Sequence, residues 1–236
     1  MEEVNERIAQ NKYARMAGLA YLLVIAVFVT GLFLRSSVEK SGNFIDSSHR
    51  IAASEHVYRI GVSVQLSTML LALWLAISLY VALRPANRNL ALAAFSFRLS
   101  EIVLGSMWIV LQFLSSSVHI AADHAGMFSV GQLSELSELI TQASANSLNV
   151  SAIFMGMGST IFFYLFLRSR YIPRALSGLG IFASLLVIAA CFAKLILPEY
   201  TSILDLAFIP TGLSEVATGL WLMVKGLNRE SQALQA

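Results

Sequence analysis

Arg98 and Glu101 stand three residues apart inside an apolar run, Leu90 to Leu114. On a helix that spacing puts both side chains on one face. A charge buried in a bilayer costs roughly 2.5–3.5 kcal/mol on insertion scales, so it must face protein, water or a partner. Ala94, Gly105, Trp108 and Gln112 continue the same face at heptad-like spacing. A second apolar run holds Glu215, with Thr211 and Thr218 on its side of the helix. At about 1.5 Å per residue, Arg98 lies roughly 12 Å from the boundary at Leu90 and Glu215 roughly 13 Å from Val224. Equal depth permits an Arg98–Glu215 pair. Two carboxylates and one guanidinium leave one surplus negative charge, which a proton, a cation or a donor ligand would neutralise. The chemistry on offer is therefore ligand binding or proton handling. The competing role is a buried clamp that fixes helix register.

Four histidines, His49, His56, His119 and His124, form a second candidate group. His119, Asp123 and His124 have i, i+4, i+5 spacing, and His49 and His56 share a helix face. The four histidines with Asp123 and Glu55 are a candidate zinc or copper set, but solvated or interfacial histidines are the favoured reading, and no HExxH occurs. No histidine lies within an apolar run, so bis-histidine haem has no ligands. There is no P-loop, no GxSxG and no Gly-rich nucleotide fingerprint. No motif names a reaction or a cofactor, and the weight falls against an enzyme. Cys191 is the sole cysteine, which excludes an internal disulfide and a CxxC motif.

The elements that position these residues follow from composition. The 236 residues are 57% hydrophobic and 13% charged, with mean hydropathy +0.71. Soluble domains carry about twice that charge, and disorder needs low hydrophobicity. The fold class is all-α: a polytopic membrane protein, read as one integral membrane domain over 1–236. Six stretches are long and apolar enough to span: 17–34, 60–83, 90–114, 150–167, 175–197 and 204–224. The first is followed by Arg35, Ser36 and Ser37 rather than a small-residue cleavage site, and reads as an anchor.

Arg7, Lys12, Arg15, Arg84, Arg88, Arg168, Arg170, Arg174, Lys225 and Arg229 all fall on one side of a six-span arrangement. A seven-span arrangement would scatter them over both faces. By the positive-inside rule both termini are cytoplasmic. On the other side, Ser48–Tyr58 and Gln132–Leu148 read as amphipathic helices lying on the outer face. Tyr58 and Arg59 stand at the outer mouth of span two. Lys194, near the outer end of span five, is placed to snorkel or to meet Asp205. Pro210 predicts a kink one turn before Glu215. Gly156 and Gly158 predict close helix packing. Net charge is +2, with no footprint for nucleic acid.

The segments RMAGLAYLLVI, YRIG, LYVALRPANRNLALAAFSFRLSEIVL and LSEVATGLWLMVKGLN together resemble the bacterial family catalogued as domain of unknown function 4386. The RPANR turn, the step from Arg98 to Glu101 and the Glu215…WLMVKG ending carry the resemblance most specifically. It implies about six spans in the bacterial cytoplasmic (inner) membrane and no assigned activity. The intramembrane charges themselves point to binding of a small amphiphile or lipid in a polar pocket, in a sensory or accessory capacity. Arg98, Glu101, Glu215, Trp108, Gln112, Thr211, Thr218 and Arg59 are its candidate residues. The alternatives are a small proton-coupled transporter using the carboxylates and an outer-face metal enzyme. The bilayer is the expected partner, and an oligomer is compatible with the sequence.

Overall fold

The computed structural model describes residues 2–39, 43–123 and 128–228. Every regular element in them is helical: α1 (Glu2–Val38), α2 (Phe44–Ala53), α3 (Glu55–Leu83), α4 (Arg88–Asp123), α5 (Val130–Ser169), α6 (Arg174–Ile196), α7 (Thr201–Leu204) and α8 (Phe208–Val224). Among the described residues, six helical stretches are long and apolar enough to cross a membrane. The first five predicted spans fall on α1, α3, α4, α5 and α6. Leu70, Val103, Val110, Leu213 and Val224 are each more than 60% exposed. Such residues suit contact with hydrocarbon, where apolar exposure costs nothing.

The helix ends have local causes. Ser129 and Gln132 form a reciprocal capping box: Gln132 Oε1 accepts from the Ser129 amide at 3.0 Å, and Ser129 Oγ accepts from the Gln132 amide at 3.3 Å. No proline follows until Pro173, so α5 runs unbroken for 40 residues. The expected separate helix over Gln132–Leu148 is therefore the first half of α5, with Leu133 and Ile140 buried. Ser48–Tyr58 is likewise shared between α2 and the start of α3. Asn87 Oδ1 accepts from the Leu90 amide at 3.0 Å and caps α4. The chain leaves α5 through Arg170 at φ 56°. Pro210 produces no interior kink. It is the third residue of α8, where its missing N–H costs little, and the irregularity is the 3₁₀ turn Asp205–Ala207 just before it.

The chain groups into two compact units: 1–25, 70–103 and 149–236 form the first, and 26–69 with 104–148 the second. The divisions fall inside α1, α3, α4 and α5. The core of the first unit gathers Ala17 and Tyr21 of α1, Leu75 and Leu79 of α3, Ala94 of α4, Phe162 and Phe166 of α5 and Leu222 of α8. Glycines let its backbones meet. A Cβ on Gly18 would lie 2.5 Å from the Met223 nitrogen and 2.7 Å from the Gly219 oxygen, so α1 and α8 touch main chain to main chain. A Cβ on Gly156 would lie 3.1 Å from the Ser184 oxygen of α6, and one on Gly158 3.0 Å from the Ala94 oxygen of α4, the close packing their spacing predicted. In the second unit, Ile51, Tyr58, Val62, Trp108 and Ile109 form one core cluster. There Gly31 and Gly61 bring α1 and α3 together.

Candidate functional site

Within the first unit, α4 presents Arg98 and Glu101 to the interior, 4% and 8% exposed. Arg98 Nη1 lies 3.0 Å from Glu101 Oε2. The pair is electrostatic rather than directional: Arg98 Nε and Nη1 and Glu101 Oε2 are buried without an aligned hydrogen-bond partner. Gly158 of α5 makes room for the arginine stem. A Cβ there would stand 2.9 Å from Arg98 Cγ. Ser151 Oγ of α5 donates to the Glu101 carbonyl oxygen at 2.8 Å, tying α5 to the carboxylate's own turn.

Glu215 is half-buried on α8. It does not pair with Arg98. No ion pair within 4 Å joins them among the described residues, and Arg98 is taken by its neighbour on the same helix. Glu215 and Tyr21 are nonetheless close enough to act electrostatically on Arg98. Tyr21, buried on α1, completes the group. Thr218 is fully buried, with an Oγ1 that has no partner. Thr211 turns elsewhere, donating to the Ala183 oxygen of α6 at 3.3 Å. The cluster thus holds one guanidinium, two carboxyls and a phenol in an apolar surround, with unsatisfied donors and one surplus negative charge. Such a site can hold a proton on a carboxyl, or a polar group that accepts from Arg98 and donates to the acids.

Trp108 and Gln112 belong to the second unit, in a different polar cluster. The Tyr58 hydroxyl donates to Glu39 Oε1 at 3.1 Å and lies 3.4 Å from Gln112 Oε1. Gln112 Nε2 donates to Ser144 Oγ at 3.0 Å. Arg35 Nε donates to Glu39 Oε2 at 3.0 Å, and its guanidinium stands 5.9 Å from the centre of the Trp108 ring. Arg59 is not part of this cluster; it pairs along the α3 surface with Glu55 at 2.6 Å, half exposed. Gln65 is fully buried beside Gly31, with both amide atoms unpartnered.

His119 bridges elements of the second unit. Its Nδ1 is 2.9 Å from Ser48 Oγ of α2 and its Nε2 is 3.3 Å from Ser137 Oγ of α5. Its ring stacks on Phe44 with centroids 4.9 Å apart. A neutral imidazole satisfies both serines with one N–H and one lone pair. His49 and His56 are exposed on α2 and α3. His124 and the side chain of Asp123 lie outside the described residues. Among the described residues no three His, Cys, Asp or Glu side chains gather as metal ligands. Lys194 meets Asp205, as its position predicted, and its ammonium lies 4.9 Å from the centre of the Phe208 ring.

Sequence reasoning finds Arg98, Glu101 and Glu215 because charge in an apolar run is conspicuous. It misses Tyr21, which sits in a continuous apolar run with no visible face. It also misses Arg35, Glu39 and Ser144, which look like ordinary flanking residues.

No curated protein and no solved structure matches the chain. The family model described as Domain of unknown function (DUF4386) matches residues 16–226, and the chain belongs to that family.

Proposed function

We propose that this protein binds a small polar or amphiphilic ligand, such as a lipid, at Arg98, Glu101 and Glu215 within the bilayer, in a sensory or accessory role. The observation that carries the reading is Arg98 Nε, a buried charged donor without an acceptor, since the contact with Glu101 is made through Nη1. A buried donor left unmade costs about 1–3 kcal/mol, and more when charged. An acceptor group on a ligand would recover that cost. Intramembrane ionisable residues are functional sites by default. The test is mass spectrometry of small molecules retained by the full-length protein in a mild detergent. We expect a retained amphiphile that Arg98→Leu/Glu101→Leu loses while still folded. Identical spectra from the two proteins would sink the reading.

The surplus carboxylate favours a second reading, a proton-coupled carrier in which Glu215 or Glu101 holds a transferable proton. It predicts an infrared band of protonated carboxyl that titrates and that Glu215→Gln diminishes. No titrating band at any pH would exclude it.

The same proposal places the chain in the bacterial cytoplasmic membrane with both termini in the cytoplasm. The support is the ten basic residues collected on one side of the six spans. A C-terminal green fluorescent protein should then fluoresce and a C-terminal alkaline phosphatase should be inactive. The reverse pattern would invert the orientation.

A further inference from the structure

In the first unit a cleft of about 510 Å³ opens between the beginning of α1 and the turn joining α3 to α4. Glu6, Ala9 and Gln10 line one wall, and Val81, Arg84, Pro85 and Arg88 line the other. Gln10 is buried, and its Nε2 donates to the Ala82 oxygen at 2.8 Å, which fixes α1 against the end of α3. We infer that this cleft binds the phosphate of an anionic phospholipid between Arg84 and Arg88.

Four observations converge on that occupant. The first is level. α3 ends at Leu83 and α4 begins at Arg88, and both are candidate spans, so the turn sits where apolar helix surface stops. That is the depth of lipid phosphates on whichever side of the membrane it lies. The second is charge. Arg84 and Arg88 are exposed, and neither forms an ion pair within 4 Å among the described residues. Among the described residues, Glu6 is the single acid lining the cleft. Guanidinium forks match phosphate oxygens in geometry as well as charge. The third is that Asn87 already caps α4, so the two side chains, and not the helix end, supply the attraction. The fourth distinguishes a lipid from free phosphate. Ile77 stands one turn along α3 from Val81, and Leu92 one turn along α4 from Arg88. They are 41% and 50% exposed, an apolar track for acyl chains leading away from the arginines. This cleft shares no residue with the Arg98 cluster.

The experiment uses the full-length protein in nanodiscs of mixed phosphatidylglycerol and phosphatidylcholine, with retained lipids counted by native mass spectrometry. Phosphatidylglycerol should be retained preferentially. A basic residue at the membrane surface contributes a factor of about five in affinity for anionic lipid. Arg84→Gln should therefore lower retention about fivefold and Arg84→Gln/Arg88→Gln about 25-fold, with the melting temperature in pure phosphatidylcholine unchanged. Glu6→Gln should raise it, which a merely structural role for the cleft would not produce. Unchanged phosphatidylglycerol retention in the double variant would overturn the inference. So would inorganic phosphate stabilising the protein in pure phosphatidylcholine as well as phosphatidylglycerol does, because the site would then read a free anion.

Discussion

Arg98→Ala is expected to lower stability by about 3–5 kcal/mol, among the largest losses available to a single substitution in this chain. Among the described residues the arginine is the sole cation in its cluster, and it faces Glu101 at 3.0 Å with Glu215 acting on it as well. Removing it leaves two carboxyls in an apolar surround with nothing to oppose them. It also leaves a gap against Gly158, whose missing side chain accommodates the arginine stem. Arg98→Leu/Glu101→Leu should behave quite differently. It removes equal and opposite charge and fills the space with methylenes, and such exchanges are often neutral or stabilising. Thermal melts by light scattering and size-exclusion profiles in a mild detergent read both. If Arg98→Ala melts with the parent protein, the ion pair contributes nothing to the bundle. If the double variant collapses as badly as the single one, shape rather than charge is what matters at α4. A double variant that folds yet loses its retained amphiphile separates the structural role of these residues from the binding role.

Gly18→Leu should be the second severe change. Overpacking a filled interior costs about 1–3 kcal/mol when side chains can yield. Here they cannot yield, because the atoms that a Cβ would strike are the Met223 nitrogen at 2.5 Å and the Gly219 oxygen at 2.7 Å, both main chain. The helices themselves must separate, which strips α8 from α1 and loosens the element that carries Glu215. Gly212, on the same α8, is the matched control. A Cβ there meets nothing within 4 Å, so Gly212→Ala should be tolerated and should gain up to about 1 kcal/mol of helix propensity. Equal losses of folded yield from Gly18→Leu and Gly212→Ala would mean that the α1–α8 contact is not made through Gly18.

Much of the fold was readable from hydropathy because the bilayer imposes one element type and one length. The spans at Ala17–Leu34 and Ile60–Leu83 fall inside α1 and α3 for that reason. Hydropathy marks where a helix enters hydrocarbon, however, and not where the helix ends. Gln132–Leu148 carries enough serine, glutamine and glutamate to look like a separate piece. Yet nothing in it breaks a helix, and the capping box at Ser129 sets the true start. At the site, the Arg98–Glu101 pair was legible because two residues on one helix need no tertiary information. Equal depth permits Glu215 to share it, but depth along an axis says nothing about rotation around it, and among the described residues the ion pair is not made. The stripe from Arg98 to Gln112 advances 14 residues, roughly 21 Å. Over that length it passes from the first unit into the second, where Trp108 and Gln112 answer to Arg35 and Tyr58. Tyr21 was silent because an all-apolar helix has no periodicity from which to read its inner face.

The two units meet inside α1, α3, α4 and α5, not at a linker, and this bears on how such a chain can change over evolutionary time. Modules joined by loops can be cut apart, lengthened or exchanged between genes. Here one added residue near position 148 would turn every later side chain of α5 by about 100°. Length variation should therefore collect at the Arg84–Asn87 and Arg170–Pro173 turns, while the stretches between them drift only by substitution.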